Sequence, residues 1–172
     1  MRGKAKVIVV NTSFRLAPWA DVLYACDASW WTHYFAEAAG VMGAAELWTC
    51  AARARDQFRL NYIFGGRMKG LSKKNDQIAT GYNSGYQAIG LAYLWGAKRI
   101  LLLGFDMMRT GGRTHWHADH PSKLGNGGRF HEWAKEMGVL AADATREGLE
   151  IVNCSRKTAL TCFRRSTIQA AL

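Results

Sequence analysis

The chain has 172 residues, 49% of them hydrophobic and 21% charged, with a formal charge of +10. That length carries one hydrophobic core and excludes two comfortable ones, so a single domain over residues 1–172 is expected; the composition excludes a disordered chain. The apolar runs at 6–10 and 100–103 are too short to span a bilayer, no signal peptide is read in Met1-Arg2-Gly3-Lys4, and the cytoplasm is the default location.

In chain order, 5–10 is a β-branched run that predicts a buried strand ending at Asn11. Residues 22–26 predict a second strand stopping at Asp27. Ser29 is positioned to cap a helix over 30–39, which Gly40 would end. Residues 46–50 predict a third strand. Residues 51–75 are basic and Gly-containing, and predict irregular chain with one short strand around 62–64.

The clearest unit follows. Ser84 with Gln87 three residues on reads as a capping box opening a helix, with Ala88, Leu91, Ala92 and Trp95 at helical spacing and Gly96 closing it. Residues 99–103 predict a strand buried on both faces, as parallel strands are, ending at Gly104-Phe105-Asp106. Residues 107–128 are loop. A long helix is expected from Phe130 to Glu147 with Trp133, Met137, Leu140 and Ala141 on one side, then a last strand over 149–153, and a short helix near 167–171. This order implies an α/β fold of the Rossmann-like, doubly wound type: a mainly parallel sheet with helices on both faces. Ligands sit beyond the carboxyl ends of such strands, where Asn11, Asp27, Asp106 and Asn153 converge.

Four features could carry chemistry. Thr80-Gly81-Tyr82-Asn83-Ser84-Gly85 opens a helix whose free N–H groups suit a phosphate, or forms an ordinary cap. His115-Trp116-His117-Ala118-Asp119-His120 has the spacing of zinc ligands, or is a polar loop whose His and Asp side chains contact substrate. His131 at a helix start is a capping or surface residue, or a general base if it faces the rim. Arg53, Arg55, Arg59, Arg67, Lys69, Lys73 and Lys74 form a basic cluster for polyphosphate or nucleic acid, or a solvated face. The cysteines, at 26, 50, 154 and 162, make no C-x-x-C pair and read as small hydrophobes.

Asn83-Ser84-Gly85, the helix, Gly96-Ala97-Lys98-Arg99-Ile100 and Leu103-Gly104-Phe105-Asp106 together resemble the core of bacterial sialyltransferases and the motility-associated-factor (MptE-like) glycosyltransferases. The stretch from Val7 to Asp27 also resembles small uncharacterised phage and prophage proteins. The resemblance implies a glycosyltransferase-like protein that takes a nucleotide-sugar donor as substrate and requires no further cofactor. It implies that Ser84 and Gly85 hold the phosphates, that Asn11 and Asp106 position nucleotide or sugar, that Asp27, Asn83 and Gly104 belong to the same binding site, and that His131 and Asp106 are catalytic. This chain departs from the pattern in three places. The Gly-rich loop after the family's first strand has no counterpart, Asp27 replaces an Asn, and Met107 and Met108 stand where a phosphate-binding Tyr is expected. Those departures keep two rivals open: a degenerate, non-catalytic protein binding nucleotide or nucleic acid through its basic surface, and a metal-dependent hydrolase using His115, His117, Asp119 and His120. Homo-oligomerisation is a further expectation.

Overall fold

A computed structural model of the chain describes residues 3–112, 121, 124 and 128–172. It is an α/β protein in which the pairings of the described strands are all parallel. Strands β1 (Ile8–Val10), β2 (Val22–Tyr24), β3 (Glu46–Thr49) and β4 (Asn61–Tyr62) lie side by side in chain order. Val9 pairs with Leu23, and Leu23 with Leu47, so these three share a face. That face packs on helices α1 (Ala28–Met42) and α2 (Ala52–Phe58), whereas the alternate residues Ile8, Val10, Tyr24 and Trp48 pack on helix α3 (Ser84–Leu94). The two-residue period of a strand thus distributes helices to both sides of this sheet.

The remaining strands form two further parallel groups. β5 (Phe64–Gly66) pairs with β6 (Gln77–Ala79), and β7 (Arg99–Leu102), β8 (Glu150–Asn153) and β9 (Arg164–Arg165) make a three-stranded set. Helix α4 (Phe130–Arg146) buries Met137, Leu140 and Ala144 against Leu102, Ile151 and the α3 residues Tyr86 and Ile89. Short helix α5 (Ile168–Ala171) covers the other side, where Leu101, Val152 and Ala171 meet. No helix among the described residues is long and apolar enough to cross a membrane.

Several elements differ from expectation. α1 runs through Gly40 to Met42, because Ala38 and Met42, four residues apart, are both buried on one face. That packing outweighs the roughly 1 kcal/mol cost of an interior glycine. The segment expected to be irregular contains α2, whose Phe58 stacks on Phe35 of α1 with ring centroids 4.6 Å apart. β6 and β9 were not legible: β6 is three fully buried residues without alternation, and β9 is two exposed arginines. β7 carries Arg99 exposed and only Leu102 fully buried, so it is less enclosed than its apolar run predicts.

Candidate functional site

The helix start at α3 is built differently from the expected capping box. Asn83 is the N-cap: its Oδ1 accepts from the Tyr86 N–H at 2.8 Å. Gln87 instead turns inward, where its Oε1 accepts from the Tyr24 hydroxyl at 2.7 Å and its Nε2 donates to the Thr80 carbonyl at 2.7 Å. Ser84 is 5% exposed. Its Oγ accepts from the Cys26 N–H at 3.2 Å and donates to the Cys26 Sγ at 3.1 Å, so the hydroxyl ties α3 to the end of β2. Burial, with Asp27 alongside, pushes the Cys26 thiol far up, which keeps it protonated and a poor nucleophile. Asp27 is exposed at the N-cap position of α1 without a side-chain cap bond, and its Oδ2 accepts from Cys26 Sγ at 3.3 Å.

The other predicted positions form a second group at the ends of β7 and β8. Gly104 is exposed. Phe105 is held by its backbone: its N–H donates to Ser155 Oγ at 2.8 Å and its carbonyl accepts from Thr158 Oγ1 at 2.7 Å. Asp106 Oδ2 accepts from Thr110 Oγ1 at 3.2 Å. Asn153 is fully buried, with Nδ2 donating to Thr158 Oγ1 at 3.1 Å and Oδ1 accepting from the Ser155 N–H. The Phe105 ring joins the two groups, since a Cβ on Gly85 would stand 2.9 Å from it. The room that Gly85 leaves over the first turn of α3 is therefore taken by Phe105. Asn11 directly follows β1 with φ of +50°, and its Oδ1 is buried without a partner among the described residues. His131 is exposed in the first turn of α4.

A cleft of about 410 Å³ opens beside these groups, lined by Arg67, Met68, Lys69, Thr80, Gly81, Tyr82 and Glu136. Arg67, Met68 and Lys69 follow β5 directly, and Thr80, Gly81 and Tyr82 follow β6. The cleft therefore sits at the carboxyl ends of two parallel strands, where a parallel sheet offers its ligand site. Tyr82 has φ of +59° and is 63% exposed, with the Arg129 guanidinium 5.8 Å from its ring centroid. Lys69 Nζ donates to Glu136 Oε1 at 2.7 Å, and this bond raises the lysine pKa. The Glu136 side chain is only 8% exposed, and its Oε2 has no partner among the described residues.

No protein-family model, curated protein or solved structure matches this chain. The chemistry of the cleft must therefore be read from its own residues. Two cations and an exposed phenol suit an anion with a flat ring. Arg67 and Lys69 come from the predicted basic cluster; Lys69 pairs with Glu136, as Arg55 does with Asp56 and Lys73 with Glu147. Glu136 was missed, although a signal existed: it falls three residues after Trp133 and four before Leu140, a carboxylate on the apolar stripe of α4. His131, five residues before Glu136, lies about 140° around the helix from it. His115, His117, Asp119 and His120 lie outside the described residues. Among those described, no group of three or more His, Cys, Asp or Glu is arranged to hold a metal ion.

Proposed function

We propose that this chain is a Rossmann-like, doubly wound nucleotide-binding domain, glycosyltransferase-like in its core, that holds a nucleotide or nucleotide-sugar in the β5–β6 cleft. The observation that carries this reading is Arg67, Lys69 and the exposed Tyr82 at the ends of two parallel strands. The guanidinium and ammonium groups would neutralise phosphate oxygens, and the phenol would support the base. Helices on both faces of the β1–β4 sheet are what the doubly wound arrangement requires. The motif resemblance to sialyltransferases and the motility-associated-factor group supplies the reaction class. In that class His131 would act as general base or acid and Asp106 would orient the sugar, which requires the sugar to extend beyond the cleft, since neither residue lines it.

A thermal-shift panel of CMP, UDP, GDP and zinc tests the reading. A nucleotide at about 100 times its Kd should stabilise the protein by about 2.7 kcal/mol. Arg67→Glu should abolish that shift without changing the unliganded Tm, because Arg67 is exposed. His131→Ala should leave the shift intact while ending donor turnover. Salt-sensitive DNA binding with no nucleotide effect would replace this reading with the nucleic-acid one. Stoichiometric zinc, with turnover lost on chelation, would move the activity to the His115–His120 string.

A further inference from the structure

A second cavity, of about 490 Å³, lies at the amino ends of β5 and β6, the opposite ends from the cleft. Phe64 opens β5, and Asn75 and Asp76 lead into β6; Trp48 of β3, Tyr62 of β4 and Trp95 after α3 supply the other polar and aromatic walls. Phe64 is 53% exposed and Trp95 45%, so two large rings are left open to solvent in one place, as at a binding site. The Trp48 and Trp95 rings meet at 69° with centroids 5.2 Å apart, and bound a corner rather than one flat platform. We propose that this cavity binds a small organic cation, an alkylated ammonium, against the aromatic rings and the Asp76 carboxylate. The proposal does not rest on the nucleotide reading, and its ligand has the opposite charge.

Charge sets the sign of the ligand. The chain carries +10, yet no Lys, Arg or His is among the described residues that line this cavity. Asp76, which is exposed, is the one carboxylate among the described residues whose side chain makes no hydrogen bond or ion pair. The other described acids all have partners. An anion would meet Asp76 with no lining cation to offset it. A sugar stacks on one flat ring face, which a corner does not offer. A cation is drawn both to the carboxylate and to the faces of Trp, Tyr and Phe rings. Tyr62 already carries one: the Arg55 guanidinium stands 4.7 Å from its ring centroid, with Asp56 balancing the charge. The polar lining is confined to the turn at Asn75 and Asp76. A bare ammonium would therefore turn some of its N–H groups toward the rings and lose their water without an acceptor in return. Methyl groups on the nitrogen lose nothing there, and a cavity of this size holds a whole small molecule.

The experiment is titration calorimetry of the wild type, Asp76→Asn and Trp95→Ala with three probes: choline, glucose, and dimethylbutanol, the neutral isostere of choline with carbon in place of the charged nitrogen. Choline should bind the wild type with a Kd of about 1 mM or below, and the isostere about 10-fold or more weakly. Trp95→Ala should weaken choline by about 5-fold or more through the lost ring. Asp76→Asn should weaken choline by about 2- to 5-fold, the worth of an exposed charge pair, and leave the isostere unchanged. Equal affinity for choline and the isostere would make the cavity merely apolar and overturn the proposal. No saturable binding of choline would overturn it as well, and saturable glucose binding in its place would assign the cavity to carbohydrate. Choline affinity unchanged in every variant that folds would put the binding elsewhere on the molecule and overturn it too. Asp76 is exposed and outside the core, so its variant keeps the test decisive should Trp95→Ala fail to fold.

Discussion

A methyl group at position 81 would stand 2.1 Å from Cγ of Tyr86, on a backbone with φ of +49°. Tyr86 cannot move aside easily. It is fully buried, and its hydroxyl accepts from the Gly70 N–H at 2.6 Å and donates to the Gly70 carbonyl at 3.1 Å. Gly70 is itself wedged, with a Cβ there lying 1.6 Å from Asp143 Oδ2. Gly81→Ala therefore combines a left-handed backbone, costing about 1–2 kcal/mol, with overpacking that costs about 1–3 kcal/mol more. The expected outcome is a loss of about 2–5 kcal/mol in urea denaturation. A loss under about 0.5 kcal/mol, the range of a neutral surface change, would mean that the Tyr86 ring is not pinned. Gly81 also lines the cleft, so its backbone carries the shape of the site as well as the fold.

At the scale of elements, α3 is the joint of the molecule. Its N-cap is Asn83, its second polar contact is Ser84 with β2, and Gln87 connects β2 to the turn after β6. These three side chains have separable roles. Asn83→Ala should cost about 1 kcal/mol, the usual worth of a cap, and Asn83→Ser should restore most of it. Ser84→Ala leaves the cap in place and instead strips the Cys26 N–H of its acceptor, a buried-donor penalty of about 1–3 kcal/mol. Urea denaturation of the three variants distinguishes them. Rescue by serine at 83 marks Asn83 as the cap. If Ser84→Ala proves neutral and Asn83→Ala proves neutral too, the helix start is not held as described.

For the whole molecule, the buried acids of the core predict how stability depends on pH. Tyr86 is pushed up by burial from 10.0 to about 12, and burial raises Tyr24, Cys26 and Cys50 as well. In the unfolded chain these groups ionise from about pH 9 for the thiols and about pH 10 for the phenols. The folded protein holds their protons longer, so it binds more protons than the unfolded chain, and stability falls as pH rises. The contribution is complete below the unfolded values and is lost as pH climbs through the folded ones. Urea denaturation from pH 7 to about 12 should show a plateau to about pH 9 and then a steepening fall. Tyr86→Phe should flatten the part of the fall between about pH 10 and 12, at a lower neutral-pH stability because the Gly70 N–H loses its acceptor. An unchanged slope in that variant would show that Tyr86 does not titrate with unfolding. On the acid side the lowered carboxylates Glu37, Glu132 and Glu150 sit in exposed ion pairs with little leverage on stability, and Glu147 is half-buried between Lys73 and Tyr93.

What the sequence determined by itself was the α/β class and the parallel pairing. Those follow from the β-branched run at β1, the short apolar runs at β2 and β8, helical spacing in α3 and α4, and helices long enough to need crossovers; these are local signals, set by neighbours in the chain. It also placed Asn83 and Tyr82 at a helix start and Arg67 and Lys69 in a basic segment. Only the tertiary structure decided which of these residues share a cleft. β6 is three buried residues with no alternation, and α2 has one fully buried residue, so neither carried a periodic signal. Ser84 and Gly85 looked open to a ligand because their real neighbours, Cys26 and Phe105, are 58 and 20 residues away in sequence. Glu136 looked like one more helix carboxylate. Its burial against Lys69, 67 residues earlier in the chain, exists only once α4 closes over the ends of β5 and β6. Long-range desolvation of a single charge has no counterpart in sequence spacing, and that is why the cleft could not be read before the fold.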